Sequence, residues 1–214
     1  IRRLDYSLTN YDRPHNFVTT FVYQTPEVSQ SRMMGLLTNN WQISGVYRWT
    51  TGRPYTIGFN IPGINAANLT GTDGNPNARI VLTCDPGNGY SGGDPYVQFN
   101  TSCFAPPQSG SDGAESSRYF VHAPPINNLY LSFSKTFALP KNMRFEFRVD
   151  MFNALNHTQF TGVNATANFA SLTDSTITNL PYDSSGALVR PQGFGAINGV
   201  APARNLQIVT RFTF

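Results

Sequence analysis

Apolar and polar residues alternate along five separate segments of the chain. A period of two places alternate side chains on opposite faces of a β-strand, so each segment predicts a strand with one apolar face. No segment carries a convincing helical stripe. The pattern therefore predicts an all-β fold, with strands centred on Phe17–Tyr23, Trp41–Thr51, Leu129–Phe137, Met143–Met151 and Leu206–Phe214.

Large apolar side chains dominate one face of each predicted strand, and Lys135 is the exception in the Leu129–Phe137 strand. A weaker alternation at Leu4, Tyr6 and Leu8 predicts a further strand. Another predicts that the Trp41 strand continues through Tyr55, Ile57 and Phe59 after a kink. The main apolar residues are Phe17, Phe21, Tyr23; Trp41, Ile43, Tyr47, Trp49; Leu129, Leu131, Phe133, Phe137; Met143, Phe145, Phe147, Val149, Met151; and Leu206, Ile208, Phe212, Phe214.

The connections between the predicted strands differ sharply in length. Leu139–Lys141 is a tight turn and residues 25–38 form a moderate connection, whereas 61–126 and 154–203 are long and rich in Gly, Asn, Ser and Pro. If the strands form an antiparallel meander, both long loops fall on one side. Short turns on one side and long loops on the other are typical of a membrane β-barrel.

Four charged residues occupy alternate positions on the polar face of one predicted strand: Arg144, Glu146, Arg148 and Asp150. In a barrel this face would line the lumen, where the charges pair with neighbouring strands. On a soluble sheet the same ladder would be an ordinary solvated face. We expect the lumen arrangement.

The composition fits strands joined by polar loops. Only 13% of residues are charged, against about 25% in typical soluble domains. The formal net charge is +3 and the basic residues are scattered, which argues against a nucleic-acid partner. No apolar stretch approaches 18 residues, so the sequence predicts no transmembrane helix.

Cys84 and Cys103 lie in Gly/Pro/Asn-rich sequence, and their spacing fits no zinc motif. The alternatives are a disulfide and two free thiols. We expect the disulfide, which indicates an oxidising compartment and would contribute roughly 3 kcal/mol in the chain-entropy model.

Several short motifs resemble catalytic or binding sites but lack the surroundings those sites need. Gly89–Gly93 matches G-x-S-x-G, and Gly87–Gly92 a dinucleotide fingerprint, yet neither lies between a strand and a helix. Residues 73–94 hold part of a calcium-loop pattern without its glycine and glutamate, which leaves a bound Ca²⁺ open. His15, His122 and His157 form no metal spacing. We therefore predict no enzyme activity, catalytic residue, metal site or cofactor.

Four stretches of the chain, in order, resemble strands near the C-terminus of TonB-dependent receptors, notably those with a carboxypeptidase-regulatory-like N-terminal domain. Each stretch includes part or all of one predicted strand and residues next to it. The stretches are Asp12–Val18, Trp41–Tyr55, Phe145–Phe160 and Ala203–Phe214.

The resemblance implies an outer-membrane barrel of about 22 strands with an N-terminal plug and energised uptake of large nutrients. Chain 1–214 would be a single barrel segment, an antiparallel meander with long loops 61–126 and 154–203, and transport would need the full receptor. The final strand, with Phe212 and Phe214, resembles the signal read by barrel-assembly machinery.

The chain has five predicted strands, and at most eight. This number does not decide what pairs with the edges of the sheet. Outer-membrane barrels need at least about eight strands, and an open sheet has two edges that invite pairing. The chain begins at Ile1 within the pattern, so we expect a processed or partial form. The expected partners are outer-membrane lipid, the assembly machinery, and either the remainder of a larger barrel or copies of the chain.

Three functions follow from these patterns. The first is a receptor barrel segment in the outer membrane of a Gram-negative bacterium. The second is a structural subunit that assembles through strand edges into an extracellular filament or tube. The third is a soluble β-sandwich binding module.

Overall fold

The computed structural model describes residues 6–70, 77–88 and 93–214, and it confirms the all-β class. Each of the five main predicted strands is present, with ends shifted by a few residues. The strands are β1 Asn16–Gln24, β2 Trp41–Thr50, β3 Pro54–Tyr55, β4 Gly58–Asn60, β5 Val81–Leu82, β6 Phe104–Ala105, β7 Val121–His122, β8 Ile126–Ala138, β9 Arg144–Phe152, β10 Phe160–Val163, β11 Thr166–Asn168, β12 Ile197–Val200 and β13 Asn205–Thr213. The helices are α1 Arg32–Thr38 and α2 Ala66–Leu69, with a 3-10 turn at Thr101–Cys103.

The five long strands form one antiparallel sheet in the order β1-β2-β8-β9-β13. Each ladder keeps a continuous register along its length. Within the described residues the sheet is open, with β1 and β13 as its edges.

The tight turn between β8 and β9 is built by two residues in the left-handed region. Lys141 and Asn142 both have φ 62°, as the two central residues of a type I′ turn require. Leu139 N donates to Met143 O at 2.8 Å and closes the hairpin.

Both long connections start and finish at the same end of the sheet, as predicted. Thr50 pairs with Ile126 at that end, and Phe152 pairs with Asn205. The short connections, residues 25–40 and 139–143, lie at the opposite end. These ends are called the long-loop end and the short-turn end below.

The chain divides into two compact units, one of which contains the sheet: His15–Thr51, Pro125–Gln159 and Ala201–Phe214. The other unit comprises the described parts of Ile1–Pro14, Gly52–Pro124 and Phe160–Val200. Its core is drawn from both long connections and consists of Ile57, Ile61, Ile80, Phe99, Phe104, Val121, Ala167, Phe169, Ile177 and Phe194. The alternation pattern gave no indication of this core.

Three local predictions need correction. Tyr6 and Leu8 lie outside any strand, and Leu4 lies outside the described residues. The stretch after the Trp41 strand does not extend it, because β3 pairs with β7 and β4 pairs in parallel with β11. The connection at residues 25–38 contains helix α1, which the sequence pattern did not indicate.

Candidate membrane-facing and lumen-facing surfaces

The register brings the apolar stripes of all five strands onto one face of the sheet, called the apolar face below. One row of paired residues crosses the sheet with an apolar side chain on every strand. The next row on this face has an apolar side chain on four strands and a glycine on β2. The rows are Tyr23, Ile43, Phe133, Val149 and Ile208, and Phe21, Gly45, Leu131, Met151 and Leu206. A slip of one residue in any ladder would break this match.

Many side chains of the apolar face are exposed. Tyr23 is 57% exposed, Ile208 67% and Phe212 54%. Soluble monomers rarely expose a continuous apolar patch of this extent, and such patches mark contact with a membrane or another protein.

Aromatic residues flank the apolar face at both ends. At the long-loop end the Phe17 and Tyr47 rings lie 6.2 Å apart, and His15 stacks on Trp49 at 6.4 Å. At the short-turn end Phe137 and Phe145 lie 6.0 Å apart. Aromatic girdles on either side of an apolar band are typical of outer-membrane barrels. The five long strands contain 9 to 13 residues, and four of them fall within the roughly 9–11 residues of a tilted membrane strand.

Lys135 is the cation on this face, and it is only 3% exposed. Its Nζ lies 5.4 Å from the ring centroids of both Trp41 and Phe137. The same Nζ donates to the backbone oxygen of Asn39. Two aromatic rings and a backbone carbonyl thus contact the ammonium group, an arrangement that favours a cation. Sequence alternation could mark Lys135 only as an exception.

The opposite face, called the polar face below, carries the predicted charge ladder. Register places Arg144, Glu146, Arg148 and Asp150 on this face and Phe145 and Phe147 on the other. Ser132 Oγ donates to Asp150 Oδ1 at 2.6 Å, and Arg148 Nε pairs with Asp150 Oδ2 at 3.2 Å. That this face lines a lumen stays a prediction.

The polar face is not uniformly polar. The Tyr130 and Phe152 rings meet edge to face at 5.9 Å, and Val22 is 67% exposed. Gln24 Nε2 donates to Gln42 Oε1 at 2.9 Å across the first ladder. The face therefore offers hydroxyl, amide and charged groups around a small aromatic patch.

The expected disulfide is present. Cys84 and Cys103 are bonded, with Cα atoms 4.9 Å apart. The adjoining pair β5 and β6 aligns Leu82 with Phe104, which brings the two cysteines together. Cys103 is fully buried, so the bridge ties an exposed loop to the core of the second unit.

The other motifs give no site in the described chain. Residues 89–92 of the G-x-S-x-G stretch and 71–76 of the calcium-like loop lie outside the described residues. Asp94, at the end of that loop, accepts a hydrogen bond from Tyr182 Oη at 2.8 Å. In the part of the chain that the structure describes, no cluster of three or more His, Cys, Asp or Glu could hold a metal ion. No helix there is long and apolar enough to cross a bilayer.

Phe212 and Phe214 are both exposed. Phe214 is 97% exposed, and its ring lies 6.2 Å from that of Phe212. Their role as an assembly signal stays a prediction.

An open antiparallel sheet with one apolar, aromatic-flanked face and one polar face has the features of a segment of a membrane β-barrel. The model of a family described as "Outer membrane beta barrel domain" matches residues 1–207, and the chain belongs to that family. No curated protein and no solved structure matches the chain. Family membership indicates the outer membrane and is at odds with the soluble β-sandwich alternative.

Proposed function

We propose that this chain is the C-terminal barrel portion of a TonB-dependent-receptor-like protein of a Gram-negative outer membrane. It would act in nutrient uptake within the complete receptor and perform no catalysis. The observation that carries the proposal is the two-faced sheet with both long connections at one end. In the proposal, the apolar face contacts lipid, and the polar face with Arg148 and Asp150 lines the lumen.

The sheet edges support a role inside a larger barrel. Every residue of β1 is exposed, as are all but one of β13. Neither strand contains proline, β1 has no charge, and Arg211 is the one charge of β13. Proteins that leave an edge unpaired usually blunt it with charge, proline or a bulge. Low charge and the absence of proline therefore indicate that β1 and β13 each pair with a further strand.

Strand direction restricts what can complete the sheet. Because five antiparallel strands are an odd number, β1 and β13 run the same way. Single-chain bacterial barrels have an even number of strands. The remainder of the barrel would then contribute an odd number of strands, with an antiparallel neighbour for each edge.

Copies of the chain are the second candidate, favoured by the same open edges. Any antiparallel junction between two copies puts their long connections at opposite ends of the sheet. A junction that keeps both sets at one end and both apolar faces on one side must pair β13 of one copy in parallel with β1 of the next. A membrane assembly of copies thus needs parallel seams, which supports the receptor proposal over self-assembly.

The intact mass of the native polypeptide and the size of its particle separate the two candidates. The receptor proposal expects one polypeptide per barrel, substantially heavier than the 23.6 kDa of this sequence. A particle built from several 23.6 kDa chains would refute it and establish self-assembly. The transport role is then tested by measuring nutrient uptake in a host that lacks the energy-coupling protein. The proposal expects uptake to be lost there.

A further inference from the structure

Helix α1 exposes an unusual amount of apolar surface for a connection between two strands. Of its seven residues, four are exposed apolar side chains. Met33 is 82% exposed, Leu37 70%, Met34 55% and Leu36 48%. A helix this short is not stable in water by propensity alone. The exposed apolar side chains therefore suggest that α1 is stabilised by contacts outside the helix.

The side chains of Met33, Met34 and Leu37 share one side of α1, since helical neighbours recur three and four residues apart. Gly35 faces the other way, toward the rest of the connection. A Cβ added at Gly35 would lie 2.9 Å from Ser29 O. The methionine side of α1 therefore points away from the connection that carries it.

The connection holds α1 in place through Asn39. Its Nδ2 donates to Ser29 O at 2.8 Å, and its Oδ1 accepts from Val28 N at 2.8 Å. Gly35 N donates to Ser31 O at 2.7 Å in the helix itself. The exposed side chains thus belong to an ordered segment with internal hydrogen bonds.

Two hydrogen bonds attach the C-terminal end of α1 to the apolar face. Trp41 Nε1 donates to Leu37 O at 2.7 Å, and Lys135 Nζ donates to Asn39 O. Both donors are side chains of the apolar face at its short-turn end. The C-terminal end of α1 is consequently held beside the apolar face, beyond the last residues of the strands.

We propose that α1 is an interfacial anchor, which inserts Met33, Met34 and Leu37 into the membrane leaflet at the short-turn end. The proposal rests on the lipid-facing role of the apolar face given above. The attachment of α1 to that face through Trp41 and Lys135 favours lipid over a protein partner. Trp41 supports it, since tryptophan concentrates at the boundary between hydrocarbon and water. Amphipathic helices lie in that boundary with their apolar side immersed.

Environment-sensitive labelling tests the anchor in the membrane-embedded protein. A fluorescent NBD group is attached to a single added cysteine in Met33→Cys or Met34→Cys, since Cys84 and Cys103 are bonded. Ser31→Cys is the matched control on an exposed polar residue of the same connection. Phe147→Cys reports the apolar face itself. Each labelled protein is placed in vesicles whose lipids carry a nitroxide near the carbonyl groups.

The proposal expects the labels at positions 33, 34 and 147 to lose most of their fluorescence to the nitroxide lipids. The label at position 31 should instead be quenched by iodide in the water. Quenching by lipid at 147 but not at 33 and 34 would overturn the anchor and leave the receptor proposal standing. Labels at 33 and 34 that are shielded from both quenchers would show a protein cover. Absence of lipid quenching at 147 would overturn both proposals.

Discussion

The ring of Phe21 lies over the backbone of Gly45, its direct partner on the neighbouring strand. A Cβ added at Gly45 would lie 2.6 Å from Phe21 Cζ and 2.9 Å from Leu131 Cδ2. The aromatic ring thus takes the space that a side chain on β2 would occupy. Aromatic rings that cover a cross-strand glycine help to fix strand register.

Gly45→Val should destabilise the sheet by about 1–3 kcal/mol, the usual cost of overpacking. Phe21 and Leu131 would both have to move to admit the new methyl groups. Unfolding in detergent by urea measures the change. Gly58→Ala is the control, because nothing lies within 4 Å of the added Cβ there. Equal stability of the two variants would contradict the close approach.

A cysteine scan along β9 should show alternating accessibility. Cysteines that replace Glu146, Arg148 and Asp150 should react with a charged, membrane-impermeant thiol reagent, because their face is predicted to line water. Cysteines at Phe147 and Val149 should react slowly, because their face is predicted to contact lipid. Mass spectrometry of the labelled protein gives the rates, and uniform reactivity along the strand would contradict the two-faced arrangement.

Loss of the disulfide should loosen the unit formed by the long connections. The bridge closes a sequence separation of 19 residues, and the double variant Cys84→Ser with Cys103→Ser should lose about 3 kcal/mol of that unit's stability. Limited proteolysis should cleave residues 77–88 and 93–124 faster than in the parent. The strands of the sheet serve as internal control, and their protection should not change.

Acid should open the turn at Asp183. Its carboxylate accepts from Ser185 Oγ at 2.6 Å, Ser185 N at 2.9 Å and Ala187 N at 3.0 Å. These hydrogen bonds, that from the Ser185 side chain first, hold the pKa of Asp183 below its ordinary value of 3.8. A lowered folded-state pKa gives stabilisation that is complete above the unfolded value and is lost as the pH falls through the folded value.

Hydrogen exchange of the Ser185 and Ala187 amides, corrected for the intrinsic rate at each pH, should therefore rise below pH 3.8. Asp183→Asn keeps an oxygen acceptor but does not titrate. In this control variant, the Ser185 and Ala187 amides should exchange faster than in the parent at neutral pH. Their exchange rates should show no additional rise in acid. A step of equal size in the variant would assign the transition to another group.

Deletion of Phe214 should reduce the amount of folded protein that reaches the outer membrane, because the exposed terminal ring is predicted to be read during assembly. Thr213→Ser is the matched control, since it changes the neighbouring residue while leaving both terminal rings in place. Heat-modifiable migration of the full-length protein from isolated outer membranes measures the folded fraction. Normal levels after the deletion would remove Phe214 from the proposed signal.

The sequence alone determined the five long strands, their two faces and the end of the sheet that carries the long connections. This was possible because the side-chain period of a strand is two residues, so each alternating segment specifies both its conformation and its apolar side. The same period excludes a register shift of one residue, since such a shift would turn an apolar stripe to the polar face. The choice among the remaining registers was made by the tertiary structure.

The tertiary structure decided the features that depend on contacts between distant residues. Phe99 meets Phe194 at 5.2 Å between ring centroids, although no local pattern marks either ring as part of a core. Helix α1 has only seven residues, too few for a period to stand out, and it is held by Asn39 and Trp41 from outside its own sequence. Lys135 breaks the apolar pattern, and only the positions of Trp41 and Phe137 show how its charge is accommodated. Local periodicity records which face a residue occupies, whereas packing between remote segments depends on where the whole chain brings them.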